Sequence, residues 1–164
     1  VQALSNNRVP LEHVWQRSQV LTLRIQNLLM LRSLIQTTFG GPQARPFWRA
    51  SLLLLLIVIS YLALSPAPPK GIGSSWDKLN HAMAFASLAF CGYCSLSSHR
   101  ARWLGLPLAL LAYGGAIELM QLNIPGRDGE WADLIADAVG ISVGLSAAAA
   151  LLNLSKCKAA QDPS

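Results

Sequence analysis

Four apolar runs, at 47–64, 79–97, 103–122 and 132–154, constrain this chain more than any other feature. A helix needs about 20 mainly apolar residues to cross roughly 30 Å of hydrocarbon, and each run is near that length. Spanning segments must satisfy every backbone N–H and C=O internally, which selects helices. Composition agrees, with 52% of residues hydrophobic and only 13% charged, where a soluble domain carries about 25% charged residues. The predicted fold is all-α: a polytopic membrane protein, a bundle of four transmembrane helices. Trp48, Trp76, Trp103 and Trp131 each stand at the start of one run, where amphipathic rings favour the membrane–water interface.

Lys and Arg set the expected orientation. Ten of the thirteen lie before or at the very start of the first run (up to Arg49), between the second and third, or after the last; the other three are Lys70, Lys78 and Arg127. The positive-inside rule then places the N- and C-termini in the cytoplasm. The net charge of +5 has no compact basic stripe with interleaved aromatics behind it, so no nucleic-acid partner is expected. The domain organisation reads as an N-terminal extension over 1–45, a membrane domain over 46–156 and a cytoplasmic tail over 157–164. Within the extension, Leu11 to Ile35 looks helical without one clean apolar stripe. It reads either as a surface-lying amphipathic helix or as an extension upstream of a chain that starts at Met30. Gly40, Gly41, Pro42 and Pro46 are expected to break any helix before the first span.

Six of the eight acids gather at the opposite, outward ends of the runs. Asp77, Lys78 and His81 enter the second run, Glu118 and Gln121 leave the third, and Arg127, Asp133 and Asp137 lead into the fourth. Helices threaded in alternating directions bring these groups to one side. A charged group inside hydrocarbon costs about 2.5–3.5 kcal/mol on insertion scales, so such a cluster implies either a task or tight internal pairing. Asp77 stands where a helix N-cap is wanted. Glu118 lies near a helix C-terminus, where the dipole disfavours a carboxylate, so Lys78, His81 or Arg127 is expected beside it. Arg127 could fork onto Glu118, Asp133 or Asp137. His81 and Glu118 together offer acid–base chemistry. No spacing demands a metal ion, and no cofactor is expected.

Cys91 and Cys94 form a C-x-x-C without the βαβ setting of a redox motif, and read as small packing residues. In the last run, Ala132, Ala136, Gly140, Gly144 and Ala148 place a small residue at every fourth position. Such a stripe lets another helix approach closely, within the chain or in a homo-oligomer through Gly140 and Gly144.

Several of these polar residues resemble a known family in order and spacing. Asp77-Lys78 with His81, Glu118 with Gln121, Gly126-Arg127, and Asp133 with Asp137 and Gly140 are similar to the pattern of VanZ-like membrane proteins over about residues 47–150. The family usually has Asn where this chain has Asp137. The resemblance implies a bacterial cytoplasmic (inner) membrane protein with the polar cluster facing outward, in a family linked to teicoplanin resistance. Three functions follow as expectations. The cluster binds an envelope lipid headgroup or cell-wall precursor, with Asp77, Lys78, Gln121, Arg127, Asp133 and Asp137 as contacts. Alternatively His81 and Glu118 are catalytic groups acting on an envelope lipid or glycan. In the third, the cluster is an ion-pair lock in a structural subunit.

Overall fold

The computed structural model describes residues 11–65, 74–124 and 130–156 of the 164, with side chains over 15–65, 78–124 and 130–153. Every regular element among them is helical. The order is α1 (Leu11–Ile35), a π-helical turn (Gln36–Gly40), α2 (Arg45–Leu64), α3 (Ser74–Ser95), a second π-helical turn (Ala101–Gly105), α4 (Leu106–Gln121) and α5 (Trp131–Lys156). Among the described residues, three segments are long and apolar enough to cross a membrane: Arg45–Leu64, Ala101–Gln121 and Trp131–Asn153.

The remaining expected run falls in α3, which has the length, 22 residues, but a more polar start and is not among those three. Its first two turns hold Asp77, Lys78, Asn80 and His81. A helix can carry that polarity when protein covers it, and α3 is the centre of the bundle, touching α2, α4 and α5. It supplies Phe85, Leu88, Ala89, Tyr93 and Cys94 to the core, against Leu106 and Leu110 of α4 and Ile141, Leu145, Ala148 and Leu152 of α5. Cys91 and Cys94 are free and buried, as packing residues should be. By contrast α2 has no fully buried residue. It leans Leu52, Leu55, Leu56 and Ile59 on the core and turns Leu53, Leu54, Ile57, Val58 and Leu62 outward, an apolar surface suited to hydrocarbon.

The small-residue stripe of α5 packs within the chain. A Cβ added at Gly140 would lie 2.9 Å from the Ala82 Cα and still closer to its carbonyl oxygen; one at Gly144 would meet the backbone of Ala86 in the same way. Both pairs advance by four residues in the same sense, so α3 and α5 run parallel at near backbone contact. That seam uses the Gly140/Gly144 face, and a homo-oligomer would need another surface.

The helix breaks as expected between Gly40 and Arg45, where Gly41 is extended. Pro46 occupies the first turn of α2 rather than breaking it, because the N–H it lacks has no intrahelical partner there. Just upstream, the π-helical turn at Gln36–Gly40 brings Phe39 onto Trp48, with ring centroids 5.3 Å apart. Trp48 is therefore a packing residue, its Nε1 donating to the Thr38 carbonyl at 2.9 Å. Trp131 is open, 83% exposed.

Candidate functional site

The C-terminal ends of α2 and α4 meet the N-terminal ends of α3 and α5, and the polar residues gather at this mouth. His81 on α3 donates from Nδ1 to Asp137 Oδ1 on α5 at 3.0 Å. Asp137 is wholly inaccessible to solvent and Asp133, one turn earlier, is 5% exposed. Gly114 of α4 makes room for this buried acid: a Cβ there would collide with Asp137 Oδ2 and press on the Phe85 ring. Asp133 stands in the first turn of α5, where the helix dipole favours negative charge.

Glu118 projects from the last turn of α4 and is half-buried. Its Oε2 accepts the backbone N–H of Glu130 at 3.0 Å, immediately before α5. The carboxylate thus faces the positive end of a neighbouring helix, which offsets the unfavourable dipole of its own. Gln121 is 3% exposed, and its Nε2 donates to the Ala63 carbonyl at 3.0 Å. That carbonyl is among the last four of α2, which have no intrahelical partner. Gln121 therefore ties α4 to α2. At the rim, Lys78 Nζ pairs with Glu130 Oε2 at 3.1 Å, both side chains about half exposed. An exposed pair of this kind contributes about 0–1 kcal/mol.

His81 lies beside Glu118 as expected, with one potential ligand atom from each of His81, Glu118 and Asp133 within 4.8 Å of the others, while its hydrogen-bond partner is Asp137. One sequence expectation changes here. Asp77 is not the N-cap of α3, because the helix starts at Ser74; the Asp77 side chain lies outside the described residues, as does Arg127. Glu130 was not among the expected contacts, yet its N–H holds Glu118 and its side chain holds Lys78. Its place just before Trp131, among the outward acids, was the available signal.

The nest is acidic: His81 is set among Glu118, Asp133 and Asp137. Two ionised carboxylates within 4.8 Å repel by about 3 kcal/mol at an effective dielectric of about 20. A cation seated between them removes that repulsion. Glu118 Oε1 and Asp137 Oδ2 are buried with no hydrogen-bond partner among the described residues, so acceptor capacity is left over after the internal contacts are made. The arrangement can hold a cation, accept hydrogen bonds from an amine or hydroxyl, or take a proton through His81. No protein-family model, curated protein or solved structure matches this chain.

Proposed function

We propose that the chain is a four-span protein of the bacterial cytoplasmic membrane, similar to VanZ-like proteins, that binds an envelope lipid headgroup or cell-wall precursor. In this reading α3 is the fourth spanning helix, both termini are cytoplasmic, and the polar mouth opens outward. The observation that carries it is the convergence of His81, Glu118 and Asp137 from three helices, with buried acceptor oxygens to spare beneath an exposed Lys78–Glu130 rim. Lys78 and Arg127 meet the anionic part of the headgroup, and the acids meet its amines or hydroxyls.

Purified protein in nanodiscs of defined lipid tests this by native mass spectrometry. Lys78→Ala and Arg127→Ala should each retain less anionic lipid or precursor than the parent; equal retention by both variants rejects the reading. Sidedness is tested by single cysteines at positions 78 and 130 in a Cys-less background. Those positions are exposed, whereas Asp133 is too buried to report. Labelling from the cytoplasmic side alone would overturn the orientation.

One observation favours a second reading, in which the cluster is a structural lock: the Gln121–Ala63 and His81–Asp137 bonds each tie two helices together. If Glu118→Gln and Asp133→Asn lower the melting temperature and leave binding per folded molecule unchanged, the lock reading stands and the headgroup reading falls.

A further inference from the structure

We infer that the nest at the mouth of α3, α4 and α5 is a binding site for one divalent transition-metal ion, held by His81, Glu118 and Asp133, with Asp137 orienting His81. The inference goes beyond the headgroup reading and does not rest on it. Three observations carry it. One nitrogen of His81 and one carboxylate oxygen each of Glu118 and Asp133 lie within 4.8 Å of one another, though the three residues come from three helices. Metal-bound histidines nearly always donate their other ring N–H to a carboxylate or carbonyl, and His81 Nδ1 does so to Asp137 at 3.0 Å. That bond leaves Nε2 with the free lone pair a metal needs. Finally, the fully buried Asp137 and the half-buried Glu118 each keep one shielded oxygen with no hydrogen-bond partner among the described residues, so both can still accept.

The donor set names the class of ion. Imidazole favours zinc, iron, copper and nickel over magnesium and calcium, and carboxylates disfavour the softest ions. One nitrogen and two oxygens therefore suit a first-row divalent ion, the imidazole favouring borderline Zn²⁺ and the two carboxylates also admitting the harder Mn²⁺. Three protein ligands leave a coordination position open, as in catalytic rather than closed structural zinc sites. Bonds of about 2.1 Å set tetrahedral ligand atoms roughly 3.4 Å apart. The three groups therefore draw together on binding, within the rotamer freedom of Glu118.

The test uses tag-free full-length protein in detergent, stripped with EDTA and titrated calorimetrically with Zn²⁺ alone, with metal content read by mass spectrometry after dialysis. One Zn²⁺ per chain is expected. Its affinity should fall at least about tenfold in Asp137→Asn, in line with losses at residues that orient metal ligands, and further in His81→Ala and Glu118→Gln. Glu130→Gln, an exposed acid at the rim, should change it less than about threefold because solvent and salt screen that charge. Co²⁺ should give visible ligand-field bands in the parent protein and lose them in His81→Ala. The inference is overturned if the folded parent takes up neither Zn²⁺ nor Mn²⁺, a result that needs no variant to fold. It is equally overturned if His81→Ala and Glu118→Gln, with helical spectra like the parent's, bind the ion as tightly as it does.

Discussion

At the end of the bundle where α1 stops and α4 begins, aromatic rings do the packing; at the opposite end, four ionisable side chains take their place. Phe39 stacks on Trp48, and Phe90 meets both rings edge-on at 6.0 and 5.7 Å. Arg102 is engaged at this aromatic end: it donates from Nε to the Leu96 carbonyl at 2.9 Å and lays its guanidinium 4.7 Å over the Tyr93 ring. Arg45 Nε, by contrast, is buried without a hydrogen-bond partner among the described residues. At the polar end, Glu118 Oε1 and Asp137 Oδ2 are buried without hydrogen-bond partners among the described residues. A buried acceptor left in that state costs about 1–3 kcal/mol. One end is thus built for stability, while the other gives stability up. Two unpartnered acceptors brought together in one small cluster are the kind of local inconsistency expected of a working site.

The largest expected effect falls on what both ends share. Gly140→Ala forces a Cβ into the Ala82 backbone, and neither atom belongs to a flexible side chain. Overpacking costs typically 1–3 kcal/mol; with backbone on the receiving side we expect about 3 kcal/mol or more, read as a lower melting temperature in detergent. A tolerated alanine would mean that α3 and α5 are farther apart, and the comparison between their two ends would lose its common frame. Next comes Trp48→Ala at the aromatic end. Removing a large aromatic from a full core costs about 3–5 kcal/mol, and Trp48 is only partly buried, so about 2 kcal/mol is expected.

The sequence made the helices legible and left their pairings hidden. The apolar runs at 103–122 and 132–154 match α4 (Leu106–Gln121) and α5 (Trp131–Lys156) to within a turn, because the hydrophobic pattern reports what faces lipid or core. The start of α3 was missed for the same reason: its first turns are polar, so a hydropathy reading begins at Leu79 while the helix begins at Ser74. The π-helical turn at Ala101–Gly105 left no hydropathy signal either, although Pro107 has no N–H to offer the Trp103 carbonyl and the change of helical pitch falls at that point. His81, Glu118, Gln121, Asp133 and Asp137 stood out in the sequence as polar residues at the edges of apolar runs, and the structure brings them to one end of the bundle. Who bonds to whom was not readable, because helical spacing rules link residues three or four apart. His81–Asp137, Lys78–Glu130 and Gln121–Ala63 join residues more than fifty apart. Gly140 and Gly144 announced a close approach but not its partner, which is α3.

Glu118→Gln sharpens the comparison most directly, since its sign differs from that of Trp48→Ala. The amide oxygen can still accept the Glu130 N–H, while the charge that repels Asp133 is gone. Melting temperature should stay the same or rise, by no more than about 1 kcal/mol in stability, and binding at the nest should weaken. A loss as large as that of Trp48→Ala would erase the distinction between the ends and favour the lock reading. Asp137→Asn belongs beside it. The amide oxygen can still accept from His81, so a small stability change with weaker ion binding would separate the role of the charge from that of the hydrogen bond.

The smallest effect is expected at Gly115, beside Gly114 on α4. A Cβ at Gly114 would strike Asp137 Oδ2, whereas one at Gly115 would meet nothing within 4 Å. Gly115→Ala should therefore gain only the helix-propensity difference, up to about 1 kcal/mol, with ion and headgroup binding unchanged. Gly114→Ala, by contrast, should displace Asp137 and weaken ion binding. The adjacent pair is an internal control for the polar end, because the same chemical change is made twice on one helix turn and only one of the two faces the nest. If Gly115→Ala instead lowers the melting temperature, something outside this chain covers that face of α4, and a partner helix is the simplest object of that shape.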